Sequence, residues 1–232
     1  MTARRALTFA VGLVLAASPA PVFAQSISHP AQISPASDDG SPSAAALLAK
    51  TTACNQVSNG TYVNPQAGGR VPICGATGAF FWTSSMAIDC DGQETSQCNS
   101  DTDGDFQNDT SFHQADGEPL DAAALPFVVI PLPSSIWNYS TSGVRGGDIL
   151  AVIYHGHVEY AVFGDEGPSG QVGEASYATA NALGIDPDPA SGGVDDGITY
   201  IVFPKSATST IQDHGQAVTK GRTLAQQFIA DN

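Results

Sequence analysis

Positive charge is scarce in this sequence. Between Val71 and Pro204 the one Lys or Arg is Arg145, set against 19 Asp and Glu in the same stretch, and the whole chain carries 8 basic against 23 acidic residues for a net charge of −15. Affinity for nucleic acid comes from neutralising phosphates with Lys and Arg, so the composition excludes a phosphate-backbone binder. The complementary partner is a polycation. Long apolar runs are missing too: beyond residue 24 none approaches the roughly 20 residues of a membrane span, and no membrane association is expected of the mature protein. The nucleophile elbow G-x-S-x-G, the phosphate-cradling G-x-x-x-x-G-K-[ST] and the zinc helix H-E-x-x-H are all absent. Cysteines number only four, Cys54, Cys74, Cys90 and Cys98, and none forms the close C-x2-C pair of a zinc site. What remains for catalysis is carboxylate chemistry.

Met1 to Ala24 reads as a secretory signal. Arg4 and Arg5 form the charged start, Ala6 to Ala17 the apolar core, and Val22-Phe23-Ala24 a small-residue cleavage site. Its removal takes the net charge from −15 to −17. A secreted chain pairs its thiols. Four cysteines allow three connectivities, and the expected one is the short-loop pairing Cys54–Cys74 with Cys90–Cys98.

Residues 25–43, rich in Ser, Pro, Asp and Ala, have no apolar period and read as a flexible leader. A single domain is expected over 44–232, opening with a short helix from Ala44 capped by Ser41 or Ser43. Short apolar runs bounded by Pro, Gly and Asp then indicate strands at Phe80 to Ile88, Phe127 to Ile130, Ile149 to Tyr154, Val158 to Phe163 and Ile198 to Phe203. His155-Gly156 marks a hairpin between two of them. From Ala79 on, helical signals are confined to Ala175 to Leu183 and Thr223 to Ile229. The expected fold is mainly β, a compact barrel of six-stranded type with a few short helices and long loops.

Three acidic groups and one histidine pair are candidates for chemistry. Asp101, Asp103, Asp105 and Asp109 alternate around Gly104 in a way that suits calcium, although the spacing is not that of an EF-hand; a solvated acidic loop is the plainer reading. His155 and His157 share a strand face and offer two metal ligands, against the plainer reading of exposed turn residues. Asp89 and Asp91 alternate at a strand end, a cation-binding edge. Asp165 and Glu174, each beside glycine, lie on adjacent segments; turn and helix-start residues are the structural alternative.

The run Val162-Phe163-Gly164-Asp165-x-Gly167-Pro168, followed by Gly173-Glu174-Ala175-Ser176-Tyr177-Ala178-Thr179-Ala180, resembles the signature of the glycoside hydrolase family 75 chitosanases. Ile88-Asp89-Cys90-Asp91-Gly92, Leu125 to Pro131, Gly147-Asp148 and Gly197 to Phe203 agree with it in order, so that the likeness extends from Cys54 to Phe228. The resemblance implies inverting endo-hydrolysis of β-1,4-linked glucosamine on a small β-barrel without a metal or other cofactor. It carries the two essential carboxylates to Asp165 and Glu174. The working assignment is Glu174 as general acid and Asp165 as general base, with the reverse order left open. Asp89 and Asp91 are the expected contacts for the substrate's ammonium groups, and the expected partners are chitosan and its glucosamine oligomers, bound by a secreted monomer. A non-catalytic module that binds a cationic polysaccharide, or a calcium-dependent structural protein, are the competing classes.

Overall fold

The computed structural model describes residues 37–232; the signal segment 1–24 and the leader up to residue 36 lie outside the described residues. Helix α1 (Ala44–Leu48) is capped by the Ser43 side chain, which accepts a hydrogen bond from Ala46 N–H. Four short strands follow: β1 (Asn55–Gln56), β2 (Tyr62–Val63), β3 (Arg70–Val71) and β4 (Cys74–Ala76). The main strands are β5 (Ala79–Asp89), β6 (Phe127–Pro131), β7 (Ile149–Tyr154), β8 (His157–Gly167), β9 (Glu174–Ser176) and β10 (Val194–Val202). Helix α2 (Tyr177–Ala182) and helix α3 (His214–Asp231) complete the chain.

Six strands close a ring in the order β5-β10-β7-β8-β6-β9 and back to β5, with β4 and β1 added outside β5 and β2-β3 forming a separate ribbon. The expected six-stranded barrel is therefore present. Closure removes the unpaired edges that an open sheet would expose. It depends on two parallel pairings between distant segments, β6 with β8 and β5 with β9. The β7-β8 hairpin turns at His155-Gly156, both with positive φ (46° and 92°), as a two-residue primed turn requires.

Alternation along the strands sorts the core in two. Trp82, Met86, Val128, Ile130, Leu150, Val152, Phe163, Ala175, Tyr200 and Val202 fill the ring, with Trp82 stacked on Tyr200 at 5.2 Å. Phe81, Phe127, Val129, Ala151, Tyr160, Val162 and Ile201 face outward, towards α3 and the loop after β5. Both expected disulfides form, Cys54–Cys74 and Cys90–Cys98.

Several boundaries differ from expectation: β10 starts at Val194, four residues before Ile198, and α2 at Tyr177 rather than Ala175. Helix α3 begins nine residues before Thr223 and is not short, running 18 residues. Its buried stripe is Ala217, Gly221, Ala225 and Phe228, with the Tyr160 ring against Gly221, so small residues fill the first three positions and a large apolar residue marks the face only near the end. Strand β8 continues through Gly164 to Gly167 instead of turning there. Residues 38 and 39, in the segment expected to be a flexible leader, are bonded to the barrel: Asp39 accepts from Val158 N–H at 3.0 Å and from His157 at 2.7 Å, and Asp38 accepts from Tyr160 N–H at 3.1 Å. These contacts satisfy the part of β8 that precedes its pairing with β6, which starts at Val162.

Candidate active site

A cleft of about 830 Å³ lies on the outer face of the wall formed by β5, β9, β6 and β8. Its floor is one row of registered residues. Ala87 pairs with Glu174, Glu174 with Val129, and Val129 with Asp165. Asp165 and Glu174 thus flank the same residue from opposite sides, which separates their Cα atoms by two strand spacings, roughly 9.6 Å.

Two glycines make this row possible. A β-bulge at Gly164 interrupts the β6-β8 register between Val128 and Val129. Without the extra residue, strict alternation from Phe163 would turn Asp165 into the barrel; with it, Asp165 faces the cleft beside Glu174. A Cβ at 164 would stand 2.6 Å from Phe127 Cβ and 2.8 Å from Leu120 Cδ1. Gly164→Ala is therefore expected to lower stability by about 1–3 kcal/mol in urea denaturation; an unchanged midpoint would mean the bulge tolerates a side chain. Gly173 sits at φ 110°, and a Cβ there would meet Ser84 Oγ at 2.5 Å and Ser85 Oγ at 2.7 Å. Its carbonyl accepts from Ala87 N–H at 2.8 Å, which seats Glu174 against β5.

Asp165 is 7% exposed, and its Oδ1 accepts three hydrogen bonds: from Ser111 N–H (2.8 Å), Ser111 Oγ (2.6 Å) and Glu166 N–H (2.7 Å). Its orientation is fixed through one oxygen, and Oδ2 has no part in those bonds. Ser111 was absent from the sequence-level candidates because it lies 54 residues away in a polar loop with no motif of its own. Glu174 is placed differently. Burial, then the charges of Asp91, Asp165 and Asp103, push its carboxyl up to about 7.

Asp89 ends β5 and is buried, with Oδ1 accepting from Asp91 N–H at 2.7 Å. Burial and the neighbouring Glu174 and Asp91 raise its carboxyl well above the usual range. Asp91 lies past the strand and accepts from Gln107 N–H (2.7 Å) and Gln107 Nε2 (3.1 Å), tying the acidic loop to the barrel; burial lifts it to about 6. Carboxylate oxygens of Asp89, Asp91 and Asp165 lie within 4.8 Å of one another, so these three are the cleft residues able to surround a cation. Of the acidic loop for which calcium was the alternative to plain solvation, Asp103 and Asp105 line the cleft, whereas Asp109 turns to His113 at 2.7 Å; among the described residues they do not converge as a three-ligand group. His157 is bonded to Asp39, and His155 stacks on Tyr154 at 3.9 Å, so the two histidines do not act together.

No Lys, Arg or His is among the residues lining the cleft. Nor does it contain an aromatic ring, and the exposed large hydrophobics among the described residues are Val57 and Leu132. The Gly147-Asp148 motif has a structural role instead. Asp148 is fully buried and accepts from the backbone N–H groups of Arg145, Lys205, Ser206 and Ala207, joining the loops before β7 and after β10.

Residues 86–229, which include every part of this cleft except the Pro65-Gln66 rim, match the family described as fungal chitosanase of glycosyl hydrolase group 75. A similar curated protein is endo-chitosanase C of Aspergillus oryzae, 36% identical over 129 residues. That alignment takes in 54% of this chain and 31% of the relative, so the chain spans about a third of the length of the curated relative it matches. On the family match over residues 86–229, which covers more than half of the sequence, the chain belongs to the group 75 glycosyl hydrolase family of fungal chitosanases.

Proposed function

We propose that this chain is a secreted, monomeric, endo-acting chitosanase that hydrolyses β-1,4 bonds between glucosamine units with inversion at the anomeric carbon. The observation that carries the reading is the pairing of Asp165 and Glu174 on either side of Val129, in a cleft lined by carboxylates and by no basic side chain. Chitosan's protonated amines find complementary charge there, and the net negative chain draws the polymer in from solution.

Glu174, protonated up to about pH 7, donates its proton to the glycosidic oxygen as the bond to the anomeric carbon breaks. Asp165, held by Ser111 and the Glu166 backbone, takes a proton from a water that attacks the opposite face of the sugar. A spacing of roughly 6.5–9.5 Å between carboxyl groups leaves room for that water, whereas retaining enzymes need about 5–5.5 Å. Two strand spacings between the Cα atoms leave room for the wider separation, and the inverting assignment itself follows the family resemblance. The two disulfides accord with an extracellular protein, and no helix among the described residues is long and apolar enough to cross a membrane. A non-catalytic binding module fits less well. It calls for aromatic rings at its binding surface, and none lines this cleft, while it does not call for a carboxyl raised to about 7.

Asp89 and Asp91 are assigned to the substrate's ammonium group. Because Asn keeps the acceptor that Asp91 N–H needs, Asp89→Asn is expected to weaken glucosamine-oligomer binding by about 1.5–3 kcal/mol with no fall in melting temperature. Calorimetric titration paired with a thermal melt checks this; a lower melt with undiminished binding would make both residues part of the scaffold. The function itself is tested by incubating the full chain with chitosan, chitin and cellulose. Rapid viscosity loss with new reducing ends from chitosan is the expected result, and chitosan bound but not cut would leave the binding module standing.

A further inference from the structure

Five of the six buried side-chain polar atoms without a hydrogen-bond partner among the described residues belong to one small region remote from the cleft: Glu159 Oε1 and Oε2, Tyr160 Oη, His214 Nε2 and Arg222 Nε. The region joins three segments. Glu159 comes from β8, His214 opens α3, and Asp38 comes from the stretch bonded to the edge of β8. His214 Nε2 lies 3.0 Å from Glu159 Oε1 and 3.3 Å from Asp38 Oδ2, and the Glu159 side chain is only 1% exposed.

These distances make ion pairs of His214 with both carboxylates, although His214 Nε2 and the two Glu159 oxygens make no well-aligned hydrogen bond. The single proton on this ring nitrogen is shared between two carboxylates and cannot serve both with good geometry. The ligand atoms of Asp38, Glu159 and His214 instead converge, all within 4.8 Å of one another. Around a tetrahedral zinc ion with bonds of about 2.0–2.1 Å, neighbouring ligand atoms stand about 3.3 Å apart. One imidazole nitrogen with two carboxylate oxygens is a donor set that suits zinc. Arg222 donates to the Asp38 carbonyl at 3.1 Å, and its guanidinium offsets one of the two carboxylate charges; the other faces the ion once the imidazole, held protonated by the two carboxylates, releases its proton to solvent as zinc binds.

We propose that Asp38, Glu159 and His214 form a zinc site that fastens the segment at residue 38 to β8 and to the start of α3. The site is independent of the cleft chemistry. It is tested on the full chain, stripped with a chelator and titrated with zinc chloride by calorimetry, with cobalt(II) absorption as a report on coordination geometry. One ion per chain, a tetrahedral cobalt spectrum, a higher melting temperature with zinc, and an affinity at least about tenfold weaker in both Glu159→Gln and His214→Gln are the expected results. Asp89→Asn removes a ligand from the cleft carboxylates and should leave zinc affinity unchanged. Absence of stoichiometric binding to the wild-type chain would overturn the site in favour of an imidazolium held between two carboxylates. So would zinc binding that survives both substitutions, or that is lost in Asp89→Asn.

Discussion

Glu174→Gln is expected to lower kcat on chitosan by about 10²–10⁴-fold while the protein stays folded, and Asp165→Asn to do the same. Each substitution keeps the shape of the side chain and removes one proton-transfer role. Gln at 174 has no acidic proton to give to the leaving oxygen. Asn at 165 keeps a carbonyl oxygen to accept the Ser111 and Glu166 bonds but cannot take a proton from water. The loss should fall on kcat with KM little changed, because neither role contributes mainly to ground-state binding. In the wild type, activity should decline as pH rises through about 7, where Glu174 loses the proton it must donate. Initial rates across pH for the wild type and both variants check these outcomes. More than about a tenth of wild-type activity in both, with deamidation excluded, would remove the pair from the mechanism.

Glu174→Gln should also make the protein more stable in neutral and alkaline solution. The ordinary glutamate pKa, about 4.3 in an unfolded chain, is raised to about 7 in the fold by burial and by the surrounding carboxylates. The folded state therefore holds a proton that the unfolded state has released between those two values. The stability associated with that proton is fully present below about pH 4 and is lost as pH climbs through 7. Gln never ionises, so the variant escapes that loss. With allowance for the side chain's partial exposure, the gain at pH 8 is on the order of 2 kcal/mol relative to wild type, and it should shrink towards zero at pH 4. Urea unfolding at both pH values measures it. A variant less stable than wild type at pH 8 would show that Glu174 contributes to the scaffold, contrary to its assignment as a half-buried acid held for catalysis.

Much of the barrel is legible in the sequence because its strands are short apolar runs with clear stops. Phe127 to Ile130, Ile149 to Tyr154 and the His155-Gly156 turn are local signals, and local physics is enough to interpret them. Ring closure is not local. The parallel pairings of β6 with β8 and of β5 with β9 join segments far apart in the chain, and no turn residue announces them. The bulge at Gly164 is hidden for a related reason: Gly164-Asp165-Glu166-Gly167 has the composition of a turn, and only the approach of Phe127 and Leu120 explains the missing side chain.

The candidate site divides along the same line. Asp165 and Glu174 are visible as glycine-flanked carboxylates, and likeness to a family raised them above turn and helix-start readings. Glu174 proves to be a strand residue, with Ser176 capping the helix that follows. Ser111 could not be found, since its role depends on one contact across 54 residues. Asp38 sits in a Ser/Pro/Asp-rich stretch whose composition reads as unstructured, and its partners, Tyr160 N–H and Arg222, come from distant parts of the chain.

The central claim is that Asp165 and Glu174, held apart across Val129, work as base and acid on opposite faces of one sugar. Proton NMR of the first products from a glucosamine oligomer, recorded before mutarotation equilibrates them, tests it most directly. The account predicts that the new reducing ends appear first as the α-anomer, the inverted product of a β-linkage. Initial release of the β-anomer would mean retention through a covalent intermediate and would contradict the geometry argued for this pair.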